Sequence, residues 1–391
     1  MKDRGEDRDA PRYRWVVLAI TLLAFIAFAY GFQIAPPLIP YILREFSISN
    51  AQAGLLMSVV LIPGILLSIP VILIIDRYGT KRIVLISLLF VSLGSLLSGS
   101  ADSFLYILAG RLTLGVGGAV IMTATPAIIY QWFPKKELGK AMGIFAVNMP
   151  LALIVALPTA SAFSQALGWR FLFYISAALG LIITACFAVA IREGPLGKER
   201  KPTSLRQAFS SAEIWKSAVI WLFFQASMLS FITWSPTLLE NFRGVSSLQA
   251  GLMTSLLSWT ALIMVPLYGY ASDRLNRRKL FIVAGSALMS LAFVAVSLAS
   301  EISLLASILA LGIFSAMVPP IVQTLPSEIL DPSMAKVGFG VMTMAGNFGP
   351  ALAPPLIGYV LDVTNSYFYT VAAISVIAIS GAVVGIYLKT K

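Results

Sequence analysis

The sequence has no histidine and one cysteine, Cys186, set in an apolar run. Those absences exclude a disulfide framework and a Cys/His metal site. Charge is scarce as well: Asp, Glu, Lys and Arg make up 12% of the 391 residues, against 58% hydrophobic and a mean hydropathy of +0.89. No nucleotide-binding or hydrolytic motif is present, so neither an enzyme nor a primary pump is indicated, and no cofactor is expected. No soluble domain hides this much apolar surface, but a lipid bilayer does.

Apolar runs fall at about 15–37, 53–75, 83–100, 104–131, 139–162, 171–191, 215–238, 250–272, 280–299, 303–326, 337–361 and 367–388. Each approaches the roughly 20 residues that a helix needs to cross the hydrocarbon, and helices alone satisfy the backbone there in an open chain. The expected fold is an all-α membrane protein of twelve transmembrane helices. Residues 1–14 are too charged for a signal peptide, so the run from Trp15 reads as a retained first helix. Of the 28 basic residues, 24 fall in the termini and alternate loops on one side. That bias puts both termini in the cytoplasm of a multi-pass cell-membrane protein and explains the net charge of +11 without nucleic acid.

The chain is also a repeat. Asp76-Arg77 and Asp273-Arg274 end two apolar runs and lie 197 residues apart. Asn148-Met149-Pro150 is matched by Asn347-Phe348-Gly349-Pro350, and Pro37 and Pro236 close spans 1 and 7 in similar sequence. The reading is two pseudo-symmetric six-helix bundles, 1–191 and 214–391, joined by a charged linker at 192–213.

These motifs resemble those of the major facilitator superfamily over the whole chain. Its loop signature G-x-L-x-D-R-x-G-R-K is kept at Asp76, Arg77, Gly79 and Lys81, and departs at Ile72 and Thr80. The second copy keeps Gly269, Asp273, Arg274, Arg277 and Arg278, with Asn276 in place of glycine. Arg111, Gly115 and Gly117 match the R-x-x-x-G-x-G of span 4, and Gly168-Trp169-Arg170 precedes span 6. The resemblance implies two parallel-repeat halves around a central midplane cavity, with alternating access to a small solute by rocking. It also implies a cytoplasmic gate of Asp76, Arg77, Lys81, Asp273, Arg274 and Arg277, with Asp76 against the start of span 11. By the repeat, Asp273 would face the start of span 5. The alternative is that these basic residues only set topology.

Arg111 is the one charge read inside a span, about 10 Å below the outer edge, where an unpaired guanidinium is costly. No carboxylate lies at its depth. Two readings stand: countercharge for an anionic substrate, or a brace bonded to carbonyls and Tyr30. Tyr30 and Gln33 share a helix face; Asn148, Gln225, Trp259 and Asn347 lie near mid-depth. All are candidate substrate contacts beside Arg111, although Asn148 and Asn347 stand in Pro/Gly segments whose freed backbone groups they could satisfy instead. Trp234 reads as an interface anchor, and Gly115, Gly117 and Gly118 as close-packing positions.

Span 5 lacks the later glycines of the G-x-x-x-G-P-x-x-G-G pattern of drug–proton antiporters. The expected function is alternating-access transport of a small organic or inorganic anion by a monomer, either facilitative or secondary active with a co-transported or exchanged ion. Proton-coupled efflux of lipophilic compounds is the alternative.

Overall fold

The computed structural model describes residues 6–192, 211–330 and 335–389. Among the described residues twelve apolar spans form the fold, and eleven contain helices long and apolar enough to cross a membrane. The other, helix Ala335–Thr364, has the length, but Asn347 and prolines 350, 354 and 355 dilute its hydropathy. Side chains such as Leu105 and Val189, 77% and 87% exposed, face outward as lipid demands.

Spans 3, 4, 6, 9 and 12 are the helices Thr80–Gly99, Phe104–Trp132, Trp169–Ala190, Arg278–Leu298 and Tyr367–Ile386. Spans 7, 8 and 11 are Ala212–Arg243, Ser247–Leu275 and Ala335–Thr364. The rest are interrupted. Span 1 is Glu6–Gln33 followed by Ala35–Phe46; span 2 is Asn50–Ser58, a 3₁₀ turn at Val59–Leu61, then Ile62–Tyr78. Span 5 is Lys135–Phe145 and Asn148–Leu167. Span 10 is Glu301–Ser315, Pro319–Val322 and Leu325–Ile329. Most of the 192–213 segment lies outside the described residues.

Proline explains where the breaks fall and corrects one boundary. Pro37 does not close span 1. Pro36 and Pro37 instead open its second helix, at positions whose missing N–H is not needed, and the chain runs on to Phe46. Pro236 likewise sits inside span 7, which continues to Arg243.

The packing repeats with the sequence. Span 3 packs on spans 4 and 6 as span 9 packs on 10 and 12; span 1 packs on 5 and 6 as span 7 packs on 11 and 12. Between the halves, span 2 meets span 11 and span 8 meets span 5. The starts of spans 2 and 8 are copies: Ser49-x-x-Gln52-Ala53-Gly54 and Ser246-x-x-Gln249-Ala250-Gly251 are offset by the same 197 residues. Each forms a reciprocal capping box, serine side chain to Gln N–H and glutamine side chain to serine N–H.

The halves touch at the end where spans 2 and 8 begin, called here the closed end. Ile34, Leu38, Ile39 and Ile42 of span 1 join Phe231, Trp234, Leu238 and Leu239 of span 7 in one buried cluster. Trp234 is thus no interface anchor. It is fully buried, and its indole donates to Pro354 O at 2.9 Å, because span 11 covers that face of span 7. Contact continues down to Gly64, where an added Cβ would stand 3.1 Å from Asn347 Nδ2. Beyond that level a cavity parts the halves; this is the cavity end.

Candidate functional site

The cavity holds about 280 Å³ and is lined by Met122 of span 4, Trp221 and Gln225 of span 7, Gln323 of span 10, and Phe339, Met342, Thr343, Gly346 and Asn347 of span 11. Span 7 presents Trp221 and Gln225 one turn apart on one face, and Asn347 follows Thr343 in the same way on span 11. Gln323 reaches the cavity because span 10 is interrupted there: it falls between the short helices Pro319–Val322 and Leu325–Ile329. Gly346 lets the indole of Trp221 lie against span 11, since a Cβ there would meet Trp221 Nε1 at 2.5 Å.

Among the described residues, the lining carries no charged side chain. Its polarity comes from amides. Among the described residues, the side chains of Gln225, Gln323 and Asn347 have no hydrogen-bond partner in the protein, whereas the Thr343 hydroxyl donates to Phe339 O at 2.9 Å. Unpaired amides at a cavity wall keep both donors and acceptors for water or a ligand.

Of the sequence-derived candidates, Gln225 and Asn347 line this cavity. Arg111 does not. It is fully buried, with Nε donating to Leu56 O at 2.8 Å and the two terminal nitrogens to Gly31 O at 2.7 Å and Phe32 O at 3.0 Å. Its guanidinium also lies over the Phe32 ring at 5.8 Å. These carbonyls stand at the breaks of spans 1 and 2. Phe32 O faces position 36, where Pro36 has no N–H to give it. Arg111 fills that vacancy and ties three spans together.

Asn148 serves its own break. Its Nδ2 donates to Phe145 O at 2.7 Å and its Oδ1 accepts from Met149 N–H at 2.5 Å. Tyr30 and Gln33 are buried toward the closed end; the Tyr30 hydroxyl is 3.3 Å from Thr159 Oγ1, and Gln33 Oε1 has no partner. Trp259 is half exposed on span 8, away from the cavity lining.

At the cavity end, Asp273 accepts from Arg278 at 3.0 Å, and Arg278 also pairs with Glu328 at 2.8 Å. In this conformation, and among the described residues, Asp273 is engaged within its own half and not at span 5. Arg274 and Arg277 are exposed, and Arg77 lies over the Tyr78 ring. The side chain of Asp76 lies outside the described residues. Gln323, Thr343 and Trp221 went unnoticed in the sequence. The usable signal for Gln323 was a lone amide within the proline-interrupted stretch 319–326.

Known proteins agree with this architecture. The Major Facilitator Superfamily model matches residues 21–248 and 233–391. A probable sulfoacetate transporter of Cupriavidus necator is 27% identical over 95% of this chain and 92% of its own. A probable galactarate/D-glucarate transporter of Escherichia coli is 26% identical over 83% of each. Among solved structures, a bacterial homologue of the human lysosomal transporter Spinster, inward-facing and occupied, aligns with a TM-score of 0.78 at 19% identity, covering 96% of this chain and 94% of that one.

Proposed function

The chain belongs to the major facilitator superfamily, and from that premise we propose that it carries a small, oxygen-rich organic anion through the cavity between its halves. It is a multi-pass membrane transport protein. The observation that carries the substrate reading is the set of three unpartnered amides, Gln225, Gln323 and Asn347, around a space of about 280 Å³. That volume sits at the small end of ligand pockets. Amide N–H groups donate to carboxylate or sulfonate oxygens, and amide carbonyls accept from hydroxyls. The names of the relatives, sulfoacetate and the sugar diacids galactarate and glucarate, describe such cargo.

Charge enters at the rim. Arg274, Arg277, Arg278 and Lys279 crowd the cavity end, and a basic rim raises the local concentration of anions without binding them tightly. The distribution of basic residues supports a cytoplasmic placement of this end and of both termini. Arg111 then works as the brace that fixes the bends of spans 1 and 2, with Asn148 doing the same for span 5. Arg77, Lys81, Asp273, Arg274 and Arg277, together with Asp76, would close the cavity end in the alternate state, the halves 1–191 and 214–391 rocking about the 192–213 linker. Lipophilic efflux fits less well, because a drug cavity has little use for three open amides.

Proteoliposomes test this directly. Labelled sulfoacetate and hexarates are offered beside uncharged sugars. Gln225→Ala, Gln323→Ala and Asn347→Ala are each expected to raise KM about 3- to 10-fold, the worth of one hydrogen bond. Parental KM in all three, or flux of neutral solutes alone, would reject the site or the substrate class respectively.

A further inference from the structure

We infer that Asp362 is the latch of the closed end, holding span 11 of the second half to the first turn of span 2. The inference rests on the alternating-access reading, and begins with what a helix start needs. Its leading N–H groups have no partner inside the helix. At span 2 the capping box serves two of them: Ser49 Oγ accepts from Gln52 N–H at 3.2 Å and Gln52 Oε1 accepts from Ser49 N–H at 3.0 Å. Two remain, at Asn50 and Ala51. Both donate to a carboxylate from the other half. Asp362 Oδ1 accepts from Asn50 N–H at 2.9 Å and from Asn50 Nδ2 at 2.7 Å, and Oδ2 accepts from Ala51 N–H at 2.8 Å.

Charge and dipole agree with this geometry. An anion is stabilised at a helix N-terminus and disfavoured at a C-terminus. Asp362 lies two residues before the end of its own helix, at Thr364, so the start of span 2 is where its charge is best placed. Packing reinforces the bond: a Cβ at Gly358 would meet Asn50 O at 2.5 Å, so the two backbones touch.

The duplicated span provides the internal comparison. Span 8 starts with the same box, Ser246 and Gln249, yet among the described residues no side chain accepts from the N–H of Ser247 or Leu248. Among the described residues its seam with span 5 carries no side-chain hydrogen bond; it packs closely, as at Gly251 against Ser161 and Leu157. One seam is bonded across the halves by charge; its twin is merely packed. Opening the closed end must break the first, and Asp362 therefore weights the equilibrium between the two states.

The test uses full-length protein in liposomes with Cys186→Ser, and spin labels at Asp102→Cys and Leu248→Cys, one on each half near the closed end. Their distance distribution is measured without substrate, so the result does not depend on which solute is carried. Asp362→Ala is expected to raise the ratio of open to closed populations about tenfold, Asp362→Asn by less, and Asn50→Ala least, since both backbone donors survive there. Glu45→Gln is the control, because Glu45 bonds Trp169 and Arg170 within one half and should leave the ratio unchanged. If Asp362→Ala does not fold, Asp362→Asn carries the same comparison. An unchanged ratio in the Asp362 variants, or an equal shift in Glu45→Gln, overturns the latch.

Discussion

Arg111→Ala will melt well below the parent protein in the same detergent, and this loss of stability will exceed that of any single substitution in the cavity lining. The guanidinium serves three carbonyls, Gly31 O, Phe32 O and Leu56 O, in a fully buried place. Hydrogen bonds between membrane helices average about 0.6 kcal/mol each, which sets a floor near 2 kcal/mol for three. A buried acceptor left without a donor costs about 1–3 kcal/mol, so three carbonyls set the full penalty at about 3–9 kcal/mol. Arg111→Lys should recover only part of it, because one ammonium cannot span carbonyls on two helices as a planar fork does. Thermal unfolding followed beside substrate affinity separates the two roles. Parental stability with a large rise in KM would return Arg111 to the substrate.

Gly54→Leu is expected to slow transport more than tenfold without unfolding the protein. An added Cβ at Gly54 would stand 2.6 Å from Pro355 N and 2.7 Å from Pro354 C and O. Those are backbone atoms, which cannot swing aside, and overpacking of this kind costs about 1–3 kcal/mol even where some shift is possible. The strain exists only while the closed end is shut, so the variant should rest with that end open and fail to complete the cycle. Gly251→Ala is the milder counterpart: its nearest obstacle is the Ser161 hydroxyl, a movable side chain, although Leu157 O stands at 2.9 Å. Initial rates in proteoliposomes and thiol labelling at the span 2–span 11 seam measure both effects. A parental rate for Gly54→Leu would show that the seam yields.

The twelve spans and their duplication were legible because lipid imposes a length and an apolarity on each span, and because Asp76 and Asp273 mark one turn twice. Close packing at Gly115, Gly117 and Gly118 was legible for a similar reason: each would drive a Cβ into Val60, Ser87 or Phe28 respectively. The partners of Arg111 were not. A brace on carbonyls was one of the two readings, but backbone atoms leave no residue signature to say which carbonyls, and Tyr30, the side-chain partner expected there, sits against Thr159 instead. Pro37 misled in the opposite direction, since a proline that opens a helix and one that ends a helix look alike until the path of the chain is known. The cavity divided along the same line. Gln225 and Asn347 stood out as polar residues at mid-depth, whereas Gln323 depended on how span 10 comes apart around its prolines. Asp362 was visible only as an acid at a span end; its worth lies in two N–H groups more than 300 residues away along the chain.

Pro36 and Arg111 act as one unit: the proline ring takes a donor from Phe32 O and the guanidinium supplies another. A variant that lost the proline would regain an N–H for Phe32 O and relax its need for the guanidinium. One that lost the arginine alone would leave the bend in span 1 without that donor. The double variant Pro36→Ala/Arg111→Met should therefore be less damaged than its two single variants together.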